Sequence, residues 1–283
     1  MSFAEFLYHA TLWGVHDLFG GGIVSVLLAD QTRGEGARAA IIGVAYLLCI
    51  LVGYLLGSIN TALIISKFVF HDDVREHGSG NAGTTNVLRT YGKKAAGLTF
   101  LGDMLKGVVA ILIACALFGA PDTDLSGYFH LLNGVYLTAF FAIFGHVFPC
   151  FSQFRGGKGF ATMVGVILVL NPLLFLILFV IYVPMVLCSH YISLSSVVMA
   201  LFYPMLLSVV DQNFRTLPHG ICTLLTVAIG VLITWAHRGN LKRIFDGNER
   251  RFYISKKQKA AAEAKLQVAT KTVETDTDDA DGE

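Results

Sequence analysis

Six long stretches of this chain are too apolar to be left in water, and that limits what it can become. Residues 40–66, 96–118, 130–149, 173–190, 194–210 and 217–236 each carry an apolar run suited to a membrane-crossing helix, for which about 20 residues suffice. A seventh stretch, 160–171, is shorter and ends at Asn171-Pro172, a pair that turns the chain into the next segment. A backbone in hydrocarbon must satisfy its own polar groups, and continuous apolar runs do so as helices. The expected fold is all-α, a polytopic membrane helix bundle of about seven transmembrane helices with short motif loops on the cytosolic side. Only 14% of the 283 residues are charged, against about 25% in a soluble domain. Gly57-Ser58 and Pro184 are expected to interrupt two of the spans, where freed backbone groups would face protein or a wet cavity.

Charge position orients the bundle. Lys67, Arg75, Arg89, Lys93 and Lys94 fall between the first two spans, Arg155 and Lys158 follow the third, and Arg238, Lys242, Arg243, Arg250 and Arg251 follow the last. The connection at 119–129 carries Asp122 and Asp124 and no cation. The positive-inside rule therefore sends the cation-bearing loops to the cytoplasm. Residues 39–254 form the expected membrane domain. Residues 1–38 are an extension read as interfacial, because Glu5, His9, His16 and Asp17 interrupt its apolar run and no cation precedes Arg33 as a cleaved signal peptide would require. The segment 255–283 is a cytosolic tail whose acidic end, lacking aromatics, is expected to be disordered.

Other function classes fall away on composition. A net charge of +1 without a basic block excludes a nucleic-acid reader. Five scattered cysteines offer no metal or redox spacing, so no metal site is expected.

Three polar clusters remain, each beside an apolar run. The first is Gly78 to Asn86 with Arg89: glycines at 78, 80 and 83 permit tight turns, while Ser79, Asn81, Thr84, Thr85 and Asn86 supply uncharged hydrogen-bonding groups. Arg89 lies three residues beyond Asn86, on the same face of a helix starting near Thr84, and its planar fork suits two phosphate oxygens. The second is Gly156-Gly157-Lys158-Gly159. It fails the nucleotide-binding Walker pattern, since Ser152 and Gly159 stand where glycine and Ser/Thr are needed. What remains is a lysine on a glycine turn before a helix, which makes an anion pocket. The third is His237, Arg238, Asn240 and Arg243 with Glu249, where His237 and Asn240 share a face if the helix continues. Asp103 and Lys106, three apart inside the second span, are expected to pair as support for the first loop, because intramembrane charge is costly unless paired. Ser193, Ser195 and Ser196 open another span, and serines there commonly bond to their own backbone. Together the clusters point to a membrane enzyme handling a phosphorylated substrate at one bilayer face.

The ordered motifs GYLLGSINTAL from Gly53, GSGNAGTTNVLRTYG from Gly78, DMLKG from Asp103, GHVFPCFSQFRGGKGFAT from Gly145, SLSS from Ser193 and HRGNLKRIFDGNE from His237 resemble the bacterial acyl-phosphate-dependent glycerol-3-phosphate acyltransferases. The resemblance implies transfer of a fatty acyl group from acyl phosphate to the 1-hydroxyl of glycerol 3-phosphate. Lysophosphatidic acid and phosphate would be released in the bacterial inner membrane, with no metal or nucleotide cofactor. It implies that Ser79, Gly80, Asn81, Asn86 and Arg89 hold substrate, that Gly156, Gly157, Lys158 and Gly159 hold the second phosphate, and that Ser193, Ser196, His237, Asn240 and Glu249 complete the site. The chain departs from the family pattern at Asn60, where proline is usual, at His190, often arginine, and at Gly239, often charged. A transporter for phosphorylated solutes is the rival reading, since helix breaks and intramembrane charges are shared with that class. A scaffold for lipid-synthesis enzymes is a third.

Overall fold

In the computed structural model, residues 22–29, 32–119, 125–214, 220–253 and 260 are described, and among them every regular element is helical. The helices are α1 (Ile23–Ala29), α2 (Glu35–Ser58), α3 (Thr61–Val69), α4 (Thr84–Thr90), α5 (Lys93–Phe118), α6 (Leu125–Val147), α7 (Phe160–Leu170), α8 (Pro172–Ser189), α9 (Ile192–Phe214), α10 (Ile221–Ala236) and α11 (Arg238–Phe245). Among the described residues, five helical segments are long and apolar enough to cross a membrane, and a sixth follows if α10 and α11, bent by 55°, form one span. The expected count of about seven is therefore not reached on length and composition. The shortfall is α7, whose 11 residues extend only about 16 Å at 1.5 Å per residue. Most of residues 1–38, and the tail beyond 253 except residue 260, lie outside the described residues; of the extension, 23–29 form α1 and pack beside α2 and α5.

The bundle is apolar on its outside as well as inside. Leu47, Leu51 and Leu55 on α2 and Phe179 and Val180 on α8 face outward, whereas Ile111, Leu132, Ile143, Met163 and Ile167 are buried. Lipid is as apolar as leucine, so helices adhere there through close packing of small residues. A Cβ at Gly53 would press on the carbonyl oxygen of Thr138, and one at Gly57 on that of Ala142, so α2 lies against α6 almost backbone to backbone. On the opposite side, Gly107 of α5 faces the Thr162 carbonyl of α7, and Gly165 of α7 faces that of Met104.

The first span is interrupted at the end of Gly57-Ser58, where α2 stops at Ser58, while Gly57 itself serves helix contact. The break falls at Ile59-Asn60, and Asn60 caps α3 by accepting the Leu63 N–H at 3.0 Å. The usual proline is not needed for this bend. Lys106 donates to the Ile59 carbonyl at 2.6 Å and pairs with Asp103 at 3.0 Å, while the Thr61 N–H donates to Asp103 Oδ1 at 3.4 Å. The expected pair is thus present, and it satisfies the backbone groups that a helix break orphans. Asn60 Nδ2 then reaches the Ala82 carbonyl of the first motif loop at 3.3 Å. Pro184 does not interrupt α8, which runs through it; membrane helices tolerate proline where the freed carbonyl finds another partner.

A Gly165→Val substitution is expected to lower stability in detergent by about 1–3 kcal/mol or more through overpacking, read as a lower thermal midpoint. Gly43→Val, where a Cβ meets nothing within 4 Å, should leave it unchanged.

Candidate active site

The three clusters meet. Ser79, Asn81 and Arg89 from the first, Lys158 and Gly159 from the second, and His237 and Asn240 from the third line a single cavity of about 200 Å³. Ser193 and Ser196 of α9 close one side, and Leu88, Phe100, Phe160, Tyr182 and Ile192 supply an apolar flank. The lining therefore combines polar and cationic side chains with apolar ones.

The first loop owes its shape to Asn86, the third residue of α4. Its amide donates to the carbonyls of Val74 and His77 at 2.8 and 2.9 Å and accepts the Ser79 N–H at 3.0 Å. Both amide hydrogens are thereby used, so Asn86 shapes the loop, and it also lines the cavity with one lone pair of Oδ1 left over. Gly80, with φ of +69°, makes the turn that aims Ser79 and Asn81 inward and is not itself part of the cavity wall. Arg89 is half-buried against the cavity, and that burial lowers its pKa, opposed by the charge of Glu249 and reinforced by Arg250 and Arg243.

The second loop is moulded on the end of α6. Gly157 N–H donates to the His146 carbonyl at 3.1 Å, and side chains at Gly156 or Gly157 would collide with His146. Gly159, with φ of +82°, leads into α7. Gly156 and Gly157 face a second, more open basin shared with Lys158, Arg238 and Arg243.

Glu249 ties the third cluster to the rest. Its Oε1 accepts from Asn240 at 2.7 Å and Ser193 at 3.1 Å, and its Oε2 accepts from Arg243 at 2.7 Å. Burial pushes its carboxyl pKa up, but the bonds from Asn240, Arg243 and Ser193 more than offset that and hold it below the usual range. Asn240 passes the constraint on, because its Oδ1 accepts from Lys158. Burial, helped by the charges of Arg243 and Arg89 and opposed by that of Glu249, lowers the Lys158 pKa to about 8. His237 sits at the kink between α10 and α11, so its face is shared with Asn240 without a continuous helix. Its Nδ1 lies 2.8 Å from the Ile233 carbonyl. That carbonyl can only accept, so Nδ1 carries the proton and Nε2 keeps its lone pair. Ser196 Oγ donates to the carbonyl of Ile192 at 2.8 Å, within its own helix.

His190 has another task. Its ring lies 3.1 Å from the Phe252 carbonyl and its own carbonyl accepts the Phe252 N–H at 2.7 Å, which pins the segment after Glu249. Among described residues, His146, Phe100 and Tyr182 also line the cavity, and no reading of the sequence gave them a part. For His146 there was a signal: a histidine closing an apolar span is costly unless it has work.

A family model described as glycerol-3-phosphate acyltransferase matches residues 47–247. The chain belongs to that family. A glycerol-3-phosphate acyltransferase from Clostridioides difficile (strain 630) is 40% identical over 210 residues, covering 73% of this chain and 95% of its own. Another, from Agrobacterium fabrum (strain C58), is 40% identical over 204 residues, 72% of this chain and 90% of its own. The crystal structure of PlsY (YgiH), an integral membrane glycerol 3-phosphate acyltransferase, in its glycerol 3-phosphate form superimposes with a TM-score of 0.64 at 35% identity, covering 74% of this chain and 96% of that one. Its lysophosphatidic acid form gives 0.61 at 33% identity. The chain is accordingly a multi-pass membrane acyltransferase, and the transporter and scaffold readings are set aside.

With the Lys158 pKa lowered to about 8, acyltransferase kcat/KM is expected to fall as pH rises through about 8 if its ammonium holds an anionic reactant. In Lys158→Arg, which stays charged, that alkaline limb should move upward. An identical limb in both proteins would assign it elsewhere.

Proposed function

We propose that the protein moves a fatty acyl group from acyl phosphate to the 1-hydroxyl of glycerol 3-phosphate at the cytosolic face of a bacterial inner membrane, yielding lysophosphatidic acid and phosphate. The observation that carries this reading is the convergence of Arg89, Lys158 and His237 on a cavity also lined by Leu88, Phe100, Phe160 and Ile192. PlsY, crystallised in glycerol 3-phosphate and lysophosphatidic acid forms, lends weight to the acceptor and product. The clustering of cations around the motif loops favours the cytosolic face.

Two anions must approach one another for the transfer to occur. Unit charges 4 Å apart repel by about 4 kcal/mol at an effective dielectric of 20. Arg89 and Lys158 offset that repulsion and hold the reactants in register. Acyl phosphate is already activated, so no acyl-enzyme is required. Ser193 and Ser196 suit this route, because their hydroxyls are committed to Glu249 and to the Ile192 carbonyl. The acceptor hydroxyl attacks the acyl carbon, the new ester C–O bond forms, and the bond to phosphate breaks. The hydroxyl proton leaves to His237 Nε2 or to the departing phosphate. Apolar Phe100, Phe160 and Tyr182 receive the acyl chain beside the reacting carbon.

Purified protein in detergent should release phosphate from acyl phosphate only when glycerol 3-phosphate is added; release without acceptor, or none with it, would refute the proposal. Arg89→Ala and Lys158→Ala should each lower kcat/KM at least ~30-fold, about 2 kcal/mol of lost stabilisation. For His237→Gln, a lost acidic limb in the pH–rate profile assigns the proton to the imidazole, and an unchanged profile assigns it to phosphate.

A further inference from the structure

His146 has one ring nitrogen that the fold leaves free. The residue is 3% exposed, yet its ring lines the cavity together with Lys158 and Asn81. Its Nε2 occupies the space that a Cβ on Gly157 would need, so the imidazole lies directly beneath the glycine-lysine loop.

Its other nitrogen is spoken for. Nδ1 lies 2.8 Å from Lys106 Nζ, which also contacts the Ile59 carbonyl at 2.6 Å and Asp103 Oδ1 at 3.0 Å. An ammonium has three N–H groups and no lone pair. Three acceptors use it fully, so Nδ1 accepts. The competing partner for Nδ1, Asp103 Oδ1, stands 3.7 Å away, beyond hydrogen-bond reach. A neutral imidazole that accepts at Nδ1 carries its proton on Nε2. Among the described residues that N–H meets no acceptor.

We infer that His146 is a phosphate-binding residue of the donor subsite: its Nε2–H donates to an oxygen of the phosphate seated at Lys158 and Gly159, and Lys106 acts as the positioning residue that fixes its tautomer. The inference rests on the acyl-phosphate reading above. The alternative of a base is closed to this ring, since Nδ1 is occupied and Nε2 is protonated. His237 is the reverse case, donating from Nδ1 to the Ile233 carbonyl and keeping a lone pair at Nε2. One cavity thus holds two imidazoles in opposite tautomers, one able to give a hydrogen bond to an anion and the other to receive a proton. The arrangement also accounts for glycine at 157, because any side chain there would push the donor aside.

Two measurements test this. In detergent-solubilised protein carrying nitrogen-15 histidine, with the His146 signals assigned by their loss in His146→Gln, Nδ1 should be unprotonated and Nε2 protonated. The Nε2 signal should move as inorganic phosphate is titrated in. In Lys106→Met the tautomer preference should relax. Kinetically, His146→Phe should raise both the KM for acyl phosphate and the inhibition constant for inorganic phosphate at least ~10-fold, the size of one lost hydrogen bond to a charged group. The KM for glycerol 3-phosphate should stay within about twofold, and His146→Gln, which restores an N–H donor, should recover most of the loss. An Nδ1–H tautomer in the native protein, an Nε2 signal blind to phosphate, or wild-type phosphate inhibition in His146→Phe would each overturn the inference. If the Phe variant does not fold, the native tautomer and titration decide alone. Failure of the acyl-phosphate reading looks different: native protein would then show no acceptor-dependent phosphate release.

Discussion

A single ammonium deep in the bundle does more than any other group to hold this structure in register. Lys106 of α5 bonds to the carbonyl where α2 stops, to Asp103 one turn earlier, and to His146 at the end of α6. Removing a charge from water costs several kcal/mol unless partners compensate, so the three helices must meet at one spot for the ion to be tolerated there. The break between α2 and α3 follows from that meeting, and the break sends Asn60 to the first motif loop.

Glu249 exerts the complementary constraint from the other side of the cavity. It gathers Asn240, Ser193 and Arg243, and through Asn240 it steadies Lys158. A carboxylate among cations limits their mutual repulsion while leaving Arg89 and Lys158 facing the cavity. The surplus positive charge of the pocket is therefore partly balanced within the fold itself.

Much of this was legible in the residue order. Helix positions follow from apolar run length, and the three clusters announce themselves as glycines and cations amid oil. Less visible was what each polar group does with its hydrogen bonds. Asn86 reads as a ligand-binding amide, but the sequence does not show that it also shapes its own loop through two backbone carbonyls and one N–H. Gly57 reads as part of a break, and α2 does end at Ser58, but its lack of a side chain also admits α6. His146 stayed hidden because its partner lies 40 positions away along the chain, a pairing that no local pattern encodes. The serines behave as local rules suggest, with Ser195 and Ser196 bonded back to their own helix.

The short helix α7 has a mechanical consequence. From Ala161 to Ile167 it is enclosed by its neighbours, and the chain turns at Asn171, whose amide donates to the Tyr136 hydroxyl at 3.1 Å. Bilayers that thicken or thin impose their load on helices that touch lipid along their length. The loop at Gly156–Gly159 rides instead on an inner strut shielded from that load, so its geometry should be indifferent to the thickness of the surrounding membrane.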